Sequence, residues 1–241
     1  LQVDHFSIFG FRFPDVSLAL GAGEEAWRVA VEGPAARGTI VVPYDLRGAS
    51  PLTLDMERLL VGEHSEAGTA SPDDETDPRQ LPPITVKVRN LEVQKRRFGT
   101  LEASLSKVAD GLRLERAVVH GNSFEATAKG SWTAGPQGQA SALNFVFDST
   151  DMQDTLNAWG FQQTLTGKRG HASGTLGWPG NLDLGLFSRA TGNVKIEVEQ
   201  GQVLGVNPGA GRVLGLLSIA ALPRRLTLDF SDLTEIGRAS Y

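Results

Sequence analysis

Apolar and polar residues alternate along most of the chain. In "HFSIFGFRFPDVSLAL" (5–20), Phe6, Ile8, Phe11, Phe13, Val16, Leu18 and Leu20 recur at alternate positions, with Asp15 and Ser17 between them. "LTLDMERLLV", "ITVKVRNLEVQ", "FGTLEASLSKV", "GLRLERAVVHG", "SFEATAKGSW", "ASALNFVFDS" and "NVKIEVEQGQVLGV" follow the same period. Alternation over 4–8 residues predicts half-buried antiparallel strands with one apolar and one polar face. The pattern predicts about a dozen strands and two short helices. The first helix is "TDMQDTLNAWGF", with Thr150 and Gln153 as a capping box, Gly160 beyond its end, and Met152, Leu156 and Trp159 on one face. The second spans 208–222: Asn207 is its N-cap, Pro208 its first residue, and Pro223 stops it.

The alternation also repeats. "FSIFGFRFPDVSLAL" aligns with "LEVQKRRFGTLEASL" at an offset of 85, pairing Phe6 with Leu91, Ile8 with Val93, Val16 with Leu101 and Leu20 with Leu105. Repeated meanders that meet only their neighbours build quasi-linear sheets. The expected organisation is a first β-meander at 1–61, an acidic flexible loop at 62–83, a second meander at 84–148, and a helix-strand segment at 149–241. The loop assignment rests on residues 61–80, which carry six acids against one arginine and show no periodicity. A calcium site at Asp73, Asp74, Glu75 and Asp77 is the less favoured reading, because no EF-hand spacing is present.

Composition narrows the classes. With 28 glycines and 7% aromatics, the 241 residues favour turns and strands over helix bundles. A net charge of −5 gives no nucleic-acid footprint, and the absence of cysteine excludes disulfides and thiol chemistry. The longest apolar run, 213–222, is half of the roughly 20 residues that span a bilayer. The alternation is already under way at the first residue, which reads as part of a longer protein, while "TEIGRASY" (234–241) breaks it and reads as an appended tail.

Catalytic and cofactor motifs are missing. The glycines of "GVNPGAGRVLG" resemble a dinucleotide loop, but Leu214 occupies the place of the third glycine. His5, His64, His120 and His171 are scattered, and no G-x-S-x-G, P-loop or S-x-x-K occurs. The expectation is a non-enzymatic protein without metal or cofactor.

A dozen alternating strands present more apolar face than two short helices can cover. The face can close into a barrel, stack as a sandwich, or curl into a trough that holds an external ligand. A trough would suit acyl chains: each buried CH₂ contributes about 0.8 kcal/mol, or roughly 12 kcal/mol gross for a 16-carbon chain. The fold class expected is mainly all-β, an extended, twisted antiparallel sheet of repeated meanders curled into a hydrophobic groove. The lining positions would be Phe6, Ile8, Val16, Leu18, Leu20, Val88, Leu91, Val93, Leu101, Leu105 and Val118.

"GRVLGLLSIAALPRRLTLDFSD" (211–232), preceded by "GNVKIEVEQGQVLGVNPGA", resembles the C-terminal signature of the YhdP family, AsmA-like proteins related to TamB. The likeness continues upstream through "LGWPGNL" and "DTLNAWGF". It implies a periplasmic protein anchored in the inner membrane by an N-terminal helix outside this chain. It further implies non-enzymatic phospholipid transport between inner and outer membranes, with a scaffold or assembly role in outer-membrane biogenesis as the alternative. Acyl chains, and the outer membrane or one of its proteins, would be the partners. On that resemblance Val213, Leu216, Leu217, Ile219 and Leu222 would close the groove mouth or touch the bilayer. Arg212, Arg224 and Arg225 would lie near headgroups, or pair with Asp229 or Asp232.

Overall fold

Alternation becomes strand almost everywhere it occurs. The computed structural model describes residues 2–8, 11–62, 76–160, 165–166, 168–181, 190–199, 202–203 and 226–229. The first meander comprises β1 (Gln2–Ile8), β2 (Phe11–Ala22), β3 (Ala26–Glu32), β4 (Ala36–Pro43) and β5 (Leu52–Val61). The second comprises β6 (Ile84–Val93), β7 (Arg96–Val108), β8 (Gly111–His120), β9 (Phe124–Gly135) and β10 (Gly138–Ser149). Helix α1 (Met152–Ala158) follows, then β11 (Leu165–Thr166), β12 (Arg169–Pro179), β13 (Thr191–Glu199), β14 (Gln202–Val203) and β15 (Leu226–Asp229). All but β11 and β14, which pair with each other, join one thirteen-stranded sheet in chain order. The sheet is curled and does not close.

The offset of 85 seen in the sequence carries β1 and β2 onto β6 and β7. One junction departs from the expected antiparallel meander: β5 and β6 are parallel, with Leu52 beside Ile84 and Val61 beside Val93. Period-two patterning is the same for either direction, so only the connection decides it. Register shifts at Arg37/Gly38, Val88/Leu91, Ser104/Leu105 and Leu114/Ala117 add twist to the centre of the sheet.

The connector is not a loop throughout. Asp77 caps a 3-10 turn at Pro78–Gln80, its side chain accepting from the Arg79 N–H. Pro78 and Pro82 are fully buried, and Leu81 packs on the main hydrophobic cluster. Residues 76–83 therefore form an ordered strap, a correction to the flexible loop expected over 62–83. Residues 63–75, with the candidate calcium ligands Asp73, Asp74 and Glu75, lie outside the described residues.

Helix α1 forms where expected but with a different cap. Asp151, not Thr150, is the N-cap, accepting from the Asp154 N–H at 2.9 Å. Gly160, at φ 78, ends it by donating to the Asn157 carbonyl at 3.0 Å. Thr155, completely buried, anchors the helix to the sheet through Ser123 Oγ at 2.7 Å and Ser149 Oγ at 2.9 Å. The second expected helix, 208–222, lies outside the described residues.

Candidate functional site

Register places the apolar half of every alternating strand on one face. A single row runs through directly opposed pairs from Leu18 to Val31, Gly38, Met56, Val88 and Leu101. It continues through Val119, Ala126, Phe147 and Ala172 to Ile196. No polar side chain interrupts this row across eleven strands. At about 4.8 Å per strand it is roughly 48 Å long. The opposite face carries the charges, as in the row Lys87, Glu102, Val118, Thr127.

The apolar face has a dry part and an uncovered part. On β2 to β6 its side chains bury one another, with Val31 at 0%, Met56 at 2% and Val88 at 2% exposure. On β10, β12 and β13 Ser141 and Trp178 are buried to a similar degree, whereas Leu143, Phe145, Phe147, Leu176, Val194 and Ile196 are half-buried. Small residues flank the rings there: Phe145 stands opposite Ala128 and Gly174, and its ring lies over Gly174.

The strap and α1 cover separate parts of this face. The strap packs on β8 and β9, where Leu112 is fully buried. Gln139 fastens it: its Oε1 accepts from Trp132 Nε1 at 2.8 Å, and its Nε2 donates to the Thr76 carbonyl at 3.1 Å. Near α1, Trp159 stacks on Phe98 at 5.4 Å and meets Phe124 edge-on at 5.0 Å and Phe147 at 5.6 Å. Such ring pairs contribute about 0.5–1.5 kcal/mol beyond their burial.

Of the positions expected to line the groove, Val16, Leu18, Val88, Leu91, Leu101 and Leu105 belong to or pack against one cluster on this face. Val93 stands opposite Val61, and Leu20 is at the rim, 65% exposed. Val118 is buried, at 4% exposure, but its register with Glu102 and Thr127 puts it on the face opposite Leu101, and Val119 stands in the apolar row instead. Phe6 and Ile8 pair through their backbones with Phe13 and Phe11, and nothing further is described of them. Val213, Leu216, Leu217, Ile219, Leu222, Arg212, Arg224 and Arg225 lie outside the described residues. The sequence reading missed the strap, although "LPPI" after the acidic run signals it, and the aromatic cluster around Trp159.

A cavity of about 840 Å³ opens where α1, the β6–β7 turn and the β8–β9 turn converge. Leu91 and Phe124, both from the apolar face, contribute to its wall beside seven charged side chains: Arg37, Glu57, Arg58, Glu92, Lys95, Arg97 and Asp154. Gln94 at φ 50 and Lys95 at φ 63 make the tight β6–β7 turn that brings Lys95 there. In the strap, the Arg79 guanidinium, 2.7 Å from Asp77, helps hold the Asp77 pKa down at about 2 through hydrogen bonds to its carboxylate.

Among the described residues no His, Asp and Glu cluster is placed to hold a metal ion, and no helix is long and apolar enough to cross a membrane. No curated protein and no solved structure matches the chain. The YhdP protein family does, over residues 1–239, nearly the whole length. With its curled, unclosed sheet and one-sided apolar face, the chain belongs to the YhdP family, envelope proteins of the AsmA-like group not known as enzymes.

Proposed function

We propose that this chain is a stretch of a non-enzymatic conduit that carries phospholipid across the periplasm between the inner and outer membranes. The acyl chains would lie on the apolar face of the curled sheet. One observation carries the reading: the apolar row continues into β10, β12 and β13, where Phe145, Leu176, Val194 and Ile196 keep part of their surface uncovered. An apolar surface of that extent calls for a partner, and a fluid chain fits a face without directional groups. The tightly packed β2–β6 part favours the second reading, a scaffold in outer-membrane biogenesis, for that half of the sheet. Lipid extraction and native mass spectrometry of the purified chain test the proposal. Co-purifying phospholipid, with photocrosslinks from Phe145 and Leu176 but not from Val146 on the other face, is expected. A lipid-free chain that gives no crosslink at either position refutes it.

A further inference from the structure

Six charged side chains around the α1 cavity have no ion-pair partner among the described residues: Arg58, Lys95, Arg97, Glu57, Glu92 and Asp154. Arg37, also at the wall, is taken up by Glu32 at 2.9 Å. Three cations and three anions thus share one wall without neutralising each other. Glu92 and Arg97 stand directly opposite each other across β6 and β7, yet no ion pair joins them among the described residues. Arg58 carries the clearest demand: its Nε is buried and has no hydrogen-bond partner. A guanidinium N–H left so is matched best by an anionic oxygen.

The same cavity touches the apolar face. Leu91 stands in a lining row opposite Leu59, and Phe124 belongs to the aromatic cluster under α1. A ligand filling the cavity would therefore meet both charges and grease.

We propose that this cavity binds the zwitterionic phosphate-and-ammonium headgroup of an ethanolamine phospholipid whose acyl chains enter the trough. Arg58 and Arg97, with Lys95, receive the phosphate, the planar guanidinium suiting its oxygens. Glu57 and Glu92, with Asp154, receive the ammonium. A phosphate alone would satisfy the cations and leave the carboxylates crowded by a further negative charge, whereas the zwitterion answers both sets. The inference rests on the lipid-conduit reading and adds a headgroup preference to it.

The experiment loads the delipidated chain from vesicles of equal parts phosphatidylethanolamine and phosphatidylglycerol with matched acyl chains, then extracts and quantifies the bound headgroups. The ethanolamine lipid should be enriched by about tenfold, the scale of one charge-assisted hydrogen bond. Glu57→Gln with Glu92→Gln should abolish the enrichment while total lipid is kept. Arg58→Gln with Arg97→Gln should lower uptake of both phospholipids by about tenfold yet leave uptake of diacylglycerol, which has no phosphate, unchanged. Circular dichroism confirms that each variant is folded.

Recovery of the two lipids in their mixing ratio by the original chain overturns the headgroup site and leaves the conduit intact. So does enrichment that survives the combined Glu57→Gln and Glu92→Gln variant. Failure to take up either phospholipid or diacylglycerol removes the conduit and, with it, the headgroup site. Calorimetry with soluble O-phosphoethanolamine distinguishes the source: tight binding of that probe without uptake of the vesicle lipid overturns a lipid occupant.

Discussion

Two aspartate substitutions on the same face should have opposite consequences. Val88 is 2% exposed, between Met56 and Leu101 in the long apolar row. Val88→Asp removes a burial worth about 1.5–3 kcal/mol. It also places a carboxylate without a partner in the packed half of the sheet, at an effective cost of several kcal/mol. The sum, about 5 kcal/mol or more, equals a large part of the 5–15 kcal/mol that holds a typical domain together. Phe145 is only half-buried, and its neighbours in the row are Ala128 and Gly174. Its replacement by Asp keeps the carboxylate within reach of water and costs about 1–2 kcal/mol, a fall in Tm of roughly 2–8 °C. Against an acyl chain the same carboxylate costs several kcal/mol, reducing lipid occupancy by about a hundredfold or more. The assay is thermal unfolding by far-UV circular dichroism, with bound lipid measured on the same samples. Phe145→Asp should melt close to the unaltered chain and carry almost no lipid, and Val88→Asp should fail to show a cooperative transition. A folded Phe145→Asp variant with undiminished lipid would refute the reasoning about the uncovered half. A Val88→Asp variant melting within a few degrees would refute the reasoning about the dry half.

Three further outcomes are expected. Gln139→Ala deprives Trp132 Nε1 and the Thr76 carbonyl of their partners, so it should cost about 1–3 kcal/mol and speed tryptic cleavage at Arg79, measured by melting and limited proteolysis. Thr155→Val keeps the shape but removes the hydroxyl shared by Ser123 Oγ, Ser149 Oγ and the Asp151 carbonyl, and a loss of about 1–3 kcal/mol should appear in chemical denaturation. Asp77 has its pKa depressed from 3.8 to about 2, so its contribution to the folded strap is complete above pH 3.8 and lost as pH falls through about 2. The carboxyl carbon shift of Asp77 should titrate near pH 2 by NMR and return towards 3.8 in Arg79→Gln.

The strands and the face they share were legible because alternation is a direct consequence of β geometry. Leu18, Val31, Met56, Val88 and Leu101 fall into one row for that reason. What alternation cannot carry is parity across a bulge. Leu112 and Leu114 on the apolar face would continue to Val118, but an extra residue at 115–116 moves the lining to Ala117 and Val119. Strand direction was hidden too, since a parallel β6 has the same period as an antiparallel one. The strap was obscured by the acids ahead of it, although Pro78, Leu81 and Pro82 are the residues that become buried or pack on the core. At the α1 N-terminus, Thr150 and Asp151 are both competent caps, and the choice depends on which has the extended backbone. The α1 cavity could not have been read at all: Arg58, Arg97 and Asp154 are brought together only by the curl of the sheet and the placement of the helix.

The parallel junction between β5 and β6 bears on where a guest can lie. Because β5 and β6 run parallel, the chain leaves β5 at the end of the sheet opposite to the one where β6 begins. The connector must therefore return along the ten residues of β5, about 33 Å. Its described part, residues 76–83, lies over the apolar face, where Pro78 and Pro82 are buried and Leu81 packs on the main cluster. Prolines suit the crossing, since they lose little backbone freedom on ordering. The strap then ends its contact at β8, β9 and the Gln139 anchor at the start of β10. Beyond it, on β10, β12 and β13, the apolar side chains other than Trp178 are only half-buried. The crossing that keeps successive meanders in one orientation thus also divides the face, and it leaves the later strands as the stretch with room for an acyl chain.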